Sequence, residues 1–135
     1  MSKGIYIHVP FCLRKCPYCD FYSVEYNVVT AKKYVDALCS HIMEYKKYDI
    51  EVDTIYFGGG TPSLFFPNQI RRIIRTIRKC FDVRDAEITL EANPSSVDYE
   101  KLCGYREAGV NRISFGVQSA DDRQLGFLGR LHDFS

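Results

Sequence analysis

The 135-residue sequence has no apolar run approaching the roughly 18 residues that a membrane span requires, so nothing in it reads as an integral membrane segment. It also lacks an excess of charge of either sign. Its 18 Lys and Arg oppose 17 Asp and Glu, and a formal net charge of +1 gives no field that would draw nucleic acid or an anionic surface. Internal repeats and low-complexity tracts are missing. Met1 to Lys3 leads into strand-like sequence without signal-peptide anatomy. The expectation is a cytoplasmic protein with no nucleic-acid partner. With 46% hydrophobic residues, the chain can build one core and has no room for a second full domain.

A disulfide framework is not what the six cysteines describe, because three of them fall within eight residues. Cys12-Leu-Arg-Lys-Cys16-Pro-Tyr-Cys19 offers three thiolates on one short loop, and no fourth cysteine lies nearby. A structural zinc takes four ligands. Three thiolates on a cubane leave one iron open to a small molecule, and soft sulfur suits iron–sulfur clusters. Spacing alone leaves open a zinc site completed by His8 or Asp20, and also buried structural thiols.

The rest of the chain alternates strand and helix signals. Ile5, Ile7 and Val9 alternate with Tyr6 and His8 up to Pro10, which predicts a strand. Tyr34, Leu38, Ile42 and Tyr45 predict a helix with Thr30 as its N-cap. Asp53 to Phe57 predicts a second strand stopped by Gly58-Gly59-Gly60. Ile70, Ile73, Ile74, Ile77 and Phe81 mark a helix entered at Pro67. A third strand is expected over Glu87 to Glu91, a third helix from about Asp98 to Ala108 closed by Gly109, a fourth strand over Arg112 to Val117, and a last helix from near Asp121. The β-α-β-α-β-α-β-α order fits a parallel α/β sheet, as part of a barrel or a doubly wound sheet. A complete barrel takes eight strands and roughly 250 residues. Truncation at Ser135 is therefore expected, with the remaining barrel absent.

The chemistry-bearing residues share one position in this order. The cysteine loop follows strand one and the glycines follow strand two, while Glu91 closes strand three and Gln118 follows strand four. A parallel sheet gathers all four at its carboxyl end, where ligands bind. Glycines there let the backbone approach a ligand closely.

These residues resemble the radical S-adenosylmethionine (SAM) superfamily, whose signature is CxxxCxxC. Tyr6 to Phe21, Phe57-Gly-Gly-Gly-Thr-Pro-Ser63, Glu91-Ala-Asn-Pro94, Ser114-Phe-Gly-Val-Gln-Ser119 and Leu128-Gly-Arg130 look more narrowly like the group that contains the haem chaperone HemW and oxygen-independent coproporphyrinogen III oxidase. The resemblance implies a partial (β/α) barrel of about four βα units, the amino-terminal part of a radical SAM core over residues 1–135, with a cluster loop at 10–22 and a SAM glycine motif at 58–62. The rest of the barrel and a carboxyl-terminal domain would lie elsewhere. It further implies a [4Fe–4S] cluster on Cys12, Cys16 and Cys19, with SAM chelating the fourth iron. Tyr6, Tyr18, Gly59, Gly60, Thr61, Glu91, Gln118 and Arg130 match positions that contact or support SAM, the arginine towards its carboxylate.

The implied chemistry is one-electron cleavage of SAM to methionine and a 5′-deoxyadenosyl radical. The implied function is haem binding and delivery to acceptor proteins, with haem or a porphyrinogen as partner and flavodoxin or ferredoxin as electron donor. The alternatives are oxidative decarboxylation of coproporphyrinogen III, and an inactive fragment or zinc-binding module. The oxidase branch carries a further cysteine shortly after the third ligand, where this chain reads Asp20-Phe21-Tyr22, and that favours the chaperone.

Other residues receive ordinary readings. Cys39, Cys80 and Cys103 are expected as buried thiols. His41 is expected at a helix surface, and His8 beside the cluster or in packing. Arg71, Arg72, Arg75, Arg78 and Lys79 form a solvated face.

Overall fold

The structure, a computed structural model, describes residues 3–134. Alternation of apolar and polar residues decides its layering, since a strand sends successive side chains to opposite faces. Strands β1 (Lys3–Val9), β2 (Glu51–Gly59), β3 (Asp82–Ala92) and β4 (Arg112–Phe115) form one parallel sheet in the order β1-β2-β3-β4. In register, Ile5 meets Ile55 and Ile55 meets Ile88, while Ile7 meets Phe57, Phe57 meets Leu90 and Leu90 meets Ile113. These rows form the core face. Tyr6, His8, Tyr56, Thr89, Glu91, Arg112 and Ser114 alternate with them on the other face.

Helices α1 (Val28–Glu44), α2 (Pro67–Cys80) and α3 (Tyr99–Ala108) cover the apolar face, α1 packing on α2 and α2 on α3. Ile70, Ile73, Ile74 and Ile77 of α2 are at most 1% exposed. Burying such a side chain is worth about 1.5–3 kcal/mol, more than any helix-propensity difference among ordinary residues, so packing seats this helix. Consecutive strand order with neighbouring helices packed side by side is the arrangement of a (β/α) barrel segment, not of a doubly wound sheet. A fourth helix, α4 (Asp122–Phe127), follows β4 and is capped by Asp121.

Several local expectations shift. Asn27, not Thr30, caps α1, its side-chain oxygen accepting from the N–H groups of Val29 (2.9 Å) and Thr30 (3.1 Å). The buried stripe of α1 is Ala31, Val35, Cys39 and Ile42, spaced four, four and three residues apart along one face; Tyr34 and Leu38 flank it half-buried and Tyr45 is exposed. Phe81 sits at the C-cap of α2, past its last turn. β3 starts five residues earlier than its apolar alternation indicates, since backbone pairing of Asp82 and Val83 with β2 extends it through polar sequence. β2 continues through Gly58 and Gly59, which pair with His8 and Val9; glycine keeps both ladder groups. β4 stops at Phe115, although the Gly116 N–H still bonds Ala92 O at 2.9 Å. α3 follows expectation, with Asp98 accepting from the Lys101 N–H and Gly109 left-handed at φ 113°.

Candidate functional site

The cysteine segment is a loop closed at its base. A two-residue parallel bridge pairs Phe11 and Cys12 with Val24 and Glu25, and the Val24 and Tyr26 N–H groups donate to Pro10 O (2.8 Å) and Cys12 O (2.9 Å). Phe11, 1% exposed, anchors it among Tyr26, Tyr34 and Phe65. His8 bonds the loop's far side through Nε2 to Tyr22 O (3.0 Å), while Nδ1 meets the Tyr6 hydroxyl (3.1 Å). Within the loop, the Cys19 N–H donates to Cys16 O at 3.0 Å, folding the two thiols onto one turn.

The glycine segment lies against this loop's base. Gly60 N–H donates to Val9 O (2.8 Å) and Thr61 N–H to Phe11 O (2.7 Å). A Cβ on Gly60 would stand 2.6 Å from Phe11 O, so only glycine admits this approach. The consequence is that Thr61, 5% exposed, donates its hydroxyl hydrogen to Cys12 Sγ at 3.5 Å.

Strands β3 and β4 close the other side. Tyr56 donates to Glu91 Oε1 at 2.7 Å, and this bond is the main cause that raises the Tyr56 phenol above its ordinary value. Arg130 reaches back from beyond α4: Nη1 lies 3.5 Å from Cys16 Sγ and 3.4 Å from the Tyr18 hydroxyl, and Nη2 donates to Asn93 Oδ1 and Gly116 O, both at 2.6 Å. Its Nε is buried without a hydrogen-bond partner. Gln118 holds a left-handed backbone, φ 70°, a strained conformation for a residue with a side chain.

Together these groups line a cleft of about 350 Å³ at the carboxyl ends of the strands, within the range of small-molecule sites. Cys12, Cys16, Cys19, Tyr18, Gly59, Gly60, Thr61, Glu91, Gln118 and Arg130 all line it. Tyr6 does not: its ring lies lower on the polar face, stacked on Tyr56 at 6.3 Å. Asn93, Ser114 and Gly116 also line the cleft; they stand within the family-like segments Glu91–Pro94 and Ser114–Ser119, which gave them no site role of their own. Their signals were an Asn-Pro strand end and a Ser-Phe-Gly strand end, both common in ordinary turns.

The family profile of the Radical SAM superfamily matches residues 6–135. The chain belongs to the radical SAM superfamily. Among radical SAM relatives, it is 41% identical over 136 residues to the haem chaperone HemW of Escherichia coli and 40% identical over 142 residues to that of Haemophilus influenzae, each match covering 96% of this chain. It is 35% identical to the mouse radical S-adenosyl methionine domain-containing protein 1, mitochondrial, over 98% of the chain. Among solved structures, it matches the coproporphyrinogen III oxidase HemN from Escherichia coli, a radical SAM enzyme, with a TM-score of 0.88 at 30% identity, over 96% of this chain and 31% of that one. The chain spans only 35% of the Escherichia coli haem chaperone and 36% of the Haemophilus influenzae one.

Membership of the radical SAM superfamily implies a [4Fe–4S] cluster and SAM, and the donor set fits both. Two of the three cysteine sulfurs already face hydrogen-bond donors, as cluster sulfurs do, and the buried Arg130 Nε retains a proton for an anionic group. The zinc alternative fits less well. Both His8 nitrogens are engaged by Tyr6 and Tyr22, and no group of three His, Cys, Asp or Glu among the described residues could hold a single ion. A cubane spreads its protein ligands over separate irons.

The remaining cysteines divide. Cys39 and Cys80 are buried, but Cys103 is exposed, because it lies on the side of α3 turned from Tyr105 and Ala108. His41 is exposed, its ring against Tyr45. On the basic side of α2, Arg71 pairs with Glu107 (3.4 Å) and Arg72 with Asp36, so that face partly ties α2 to its neighbours. Among the described residues, no helix is long and apolar enough to cross a membrane.

Proposed function

We propose that residues 1–135 are the amino-terminal part of a radical SAM core that holds a [4Fe–4S] cluster on Cys12, Cys16 and Cys19, binds SAM beside it, and serves in the full-length protein to bind haem and deliver it to an acceptor protein. The observation that carries this reading is the shared cleft. Three thiols of one loop, the Gly59-Gly60-Thr61 strip, Glu91, Gln118 and Arg130 come from four successive βα units and line one space. When bound, the cluster supplies one-electron chemistry to SAM.

The chain's own residues do the holding. Cys12, Cys16 and Cys19 ligate. The Gly59–Thr61 strip presents backbone to the methionyl end, Glu91 faces the ribose hydroxyls while Tyr56 holds its other oxygen, and Arg130 offers Nε to the carboxylate. Tyr18 flanks the adenine and Tyr6 supports the floor from below. Support for haem delivery comes from the relatives' names and from Asp20-Phe21 after Cys19. The protein is then cytoplasmic, with a flavodoxin or ferredoxin as electron donor.

The fold match to HemN favours a second reading, oxidative decarboxylation of coproporphyrinogen III. Anaerobic incubation of full-length protein with reductant, SAM and either haem or coproporphyrinogen separates the two: the proposal expects haem binding and transfer, and decarboxylated product would reject it. Cys16→Ala should abolish the charge-transfer absorbance of the reconstituted cluster, and an unchanged spectrum would remove the proposed ligand set.

A further inference from the structure

Asn93 stands between the two donors that face the cysteine sulfurs. Its backbone is fixed: its N–H donates to Ser63 Oγ (3.2 Å), which is fully buried, and its carbonyl accepts from Ser96 N–H (3.0 Å) and Ser96 Oγ (2.8 Å). Lys101 Nζ donates to Ser63 O (2.6 Å) and Ser96 O (2.9 Å), stiffening the post. The side chain faces two ways. Oδ1 accepts from Arg130 Nη2 at 2.6 Å, and Nδ2 donates to Thr61 Oγ1 at 3.2 Å. An arginine only donates, so the amide orientation is determined.

A threonine hydroxyl has one hydrogen. Because Asn93 Nδ2 fills an acceptor position of Thr61 Oγ1, that hydrogen is left for Cys12 Sγ at 3.5 Å. The Arg130 guanidinium is planar and rigid, so fixing Nη2 on Asn93 and Gly116 O aims Nη1 at Cys16 Sγ, also 3.5 Å away. One amide thus orients two donors onto two sulfurs that arrive from residues 77 and 81 positions away in sequence.

We propose that Asn93 is a positioning residue that holds Thr61 and Arg130 as hydrogen-bond donors to Cys12 and Cys16, and so sets the reduction potential of the cluster those cysteines carry. This rests on the cluster reading above. Hydrogen bonds to cluster sulfurs stabilise the more negative, reduced state and raise the potential. An aspartate at position 93 would accept from both neighbours. It keeps Arg130 but turns the Thr61 hydrogen away from Cys12.

The test uses full-length protein, reconstituted anaerobically, with iron and sulfide content as the loading control and the midpoint potential read by EPR-monitored redox titration. Asn93→Asp should lower the potential at full cluster content, and the lowering should be smaller when Thr61→Val already removes the hydroxyl. An unchanged potential, or a lowering of the same size with and without the Thr61 hydroxyl, overturns the inference. Asn93→Ser, whose hydroxyl stands one bond short of both neighbours, withdraws the amide's hold without adding charge and should lower the potential as well if the aspartate variant fails to assemble. A wild-type protein that holds no cluster overturns the functional reading as well, whereas a cluster indifferent to position 93 overturns this inference alone.

Discussion

Tyr56 and Glu91, 35 residues apart, are joined by a 2.7 Å hydrogen bond across neighbouring strands. The phenol holds one carboxylate oxygen and leaves the other at the cleft. Tyr56→Phe removes that donor without changing ring size. If Glu91 meets the ribose of SAM, SAM binding weakens by about tenfold, the worth of one hydrogen bond to a charged group, at unchanged iron content. Anaerobic equilibrium dialysis measures it, and equal affinities would separate Glu91 from the nucleoside.

Tyr105 is fully buried, its hydroxyl 2.6 Å from Phe65 O and 3.0 Å from Ser63 O. Tyr105→Phe takes this donor from Phe65 O, while Ser63 O keeps Lys101 Nζ at 2.6 Å, and costs about 1–3 kcal/mol. Burial also raises the Tyr105 phenol far above its ordinary value of 10.0. Above pH 10 the unfolded chain releases this proton while the folded chain retains it, so stability falls as pH rises. Lys101, lowered by burial, works in the opposite direction just below 10.5. Melting temperatures of the full-length protein between pH 8 and 11 should therefore fall less steeply in Tyr105→Phe than in wild type, and parallel curves would contradict this.

Two glycines should respond oppositely to alanine. At Gly60 a Cβ would meet Phe11 O at 2.6 Å, and backbone on both sides has little room to yield. Gly60→Ala is expected to cost about 1–3 kcal/mol and to loosen the cysteine loop's base. At Gly126, inside α4, a Cβ meets nothing within 4 Å. Gly126→Ala is expected to stabilise by about 0.5–1 kcal/mol. Urea unfolding of the two variants side by side checks the ordering, and a Gly60→Ala protein as stable as wild type would contradict the close approach.

The cysteines outside the loop should label unequally. In cluster-loaded protein, a maleimide should modify Cys103 quickly and leave Cys39 and Cys80 protected until denaturation. Peptide mapping by mass spectrometry reads the result directly. Rapid native labelling of Cys39 would refute the α1 packing described above.

How much was legible in the sequence differs by element. The isoleucines of α2, the cap Asp98 and the closing Gly109 act within a few residues of themselves, and their pattern carries their role. The gathering of the cysteine loop, the glycine strip, Glu91 and Gln118 followed from their common place after successive strands. Tyr6 followed the family spacing, yet it lies below the cleft because its register sets it beside Tyr56, three residues short of the carboxyl end of β1.

By itself, the order of apolar and polar residues determined a parallel βα repeat and the end of it at which chemistry collects, because strand and helix periods are local and connection rules are few. Only the tertiary structure decided that Cys103 faces outward, that β2 runs on through two glycines, and that Asn93 joins Thr61 to Arg130. Each of those depends on a partner supplied from elsewhere in the chain, as when Arg130 returns across 114 residues to Cys16. Local pattern holds no record of such contacts, since packing and hydrogen-bond satisfaction are settled only when distant segments share one space.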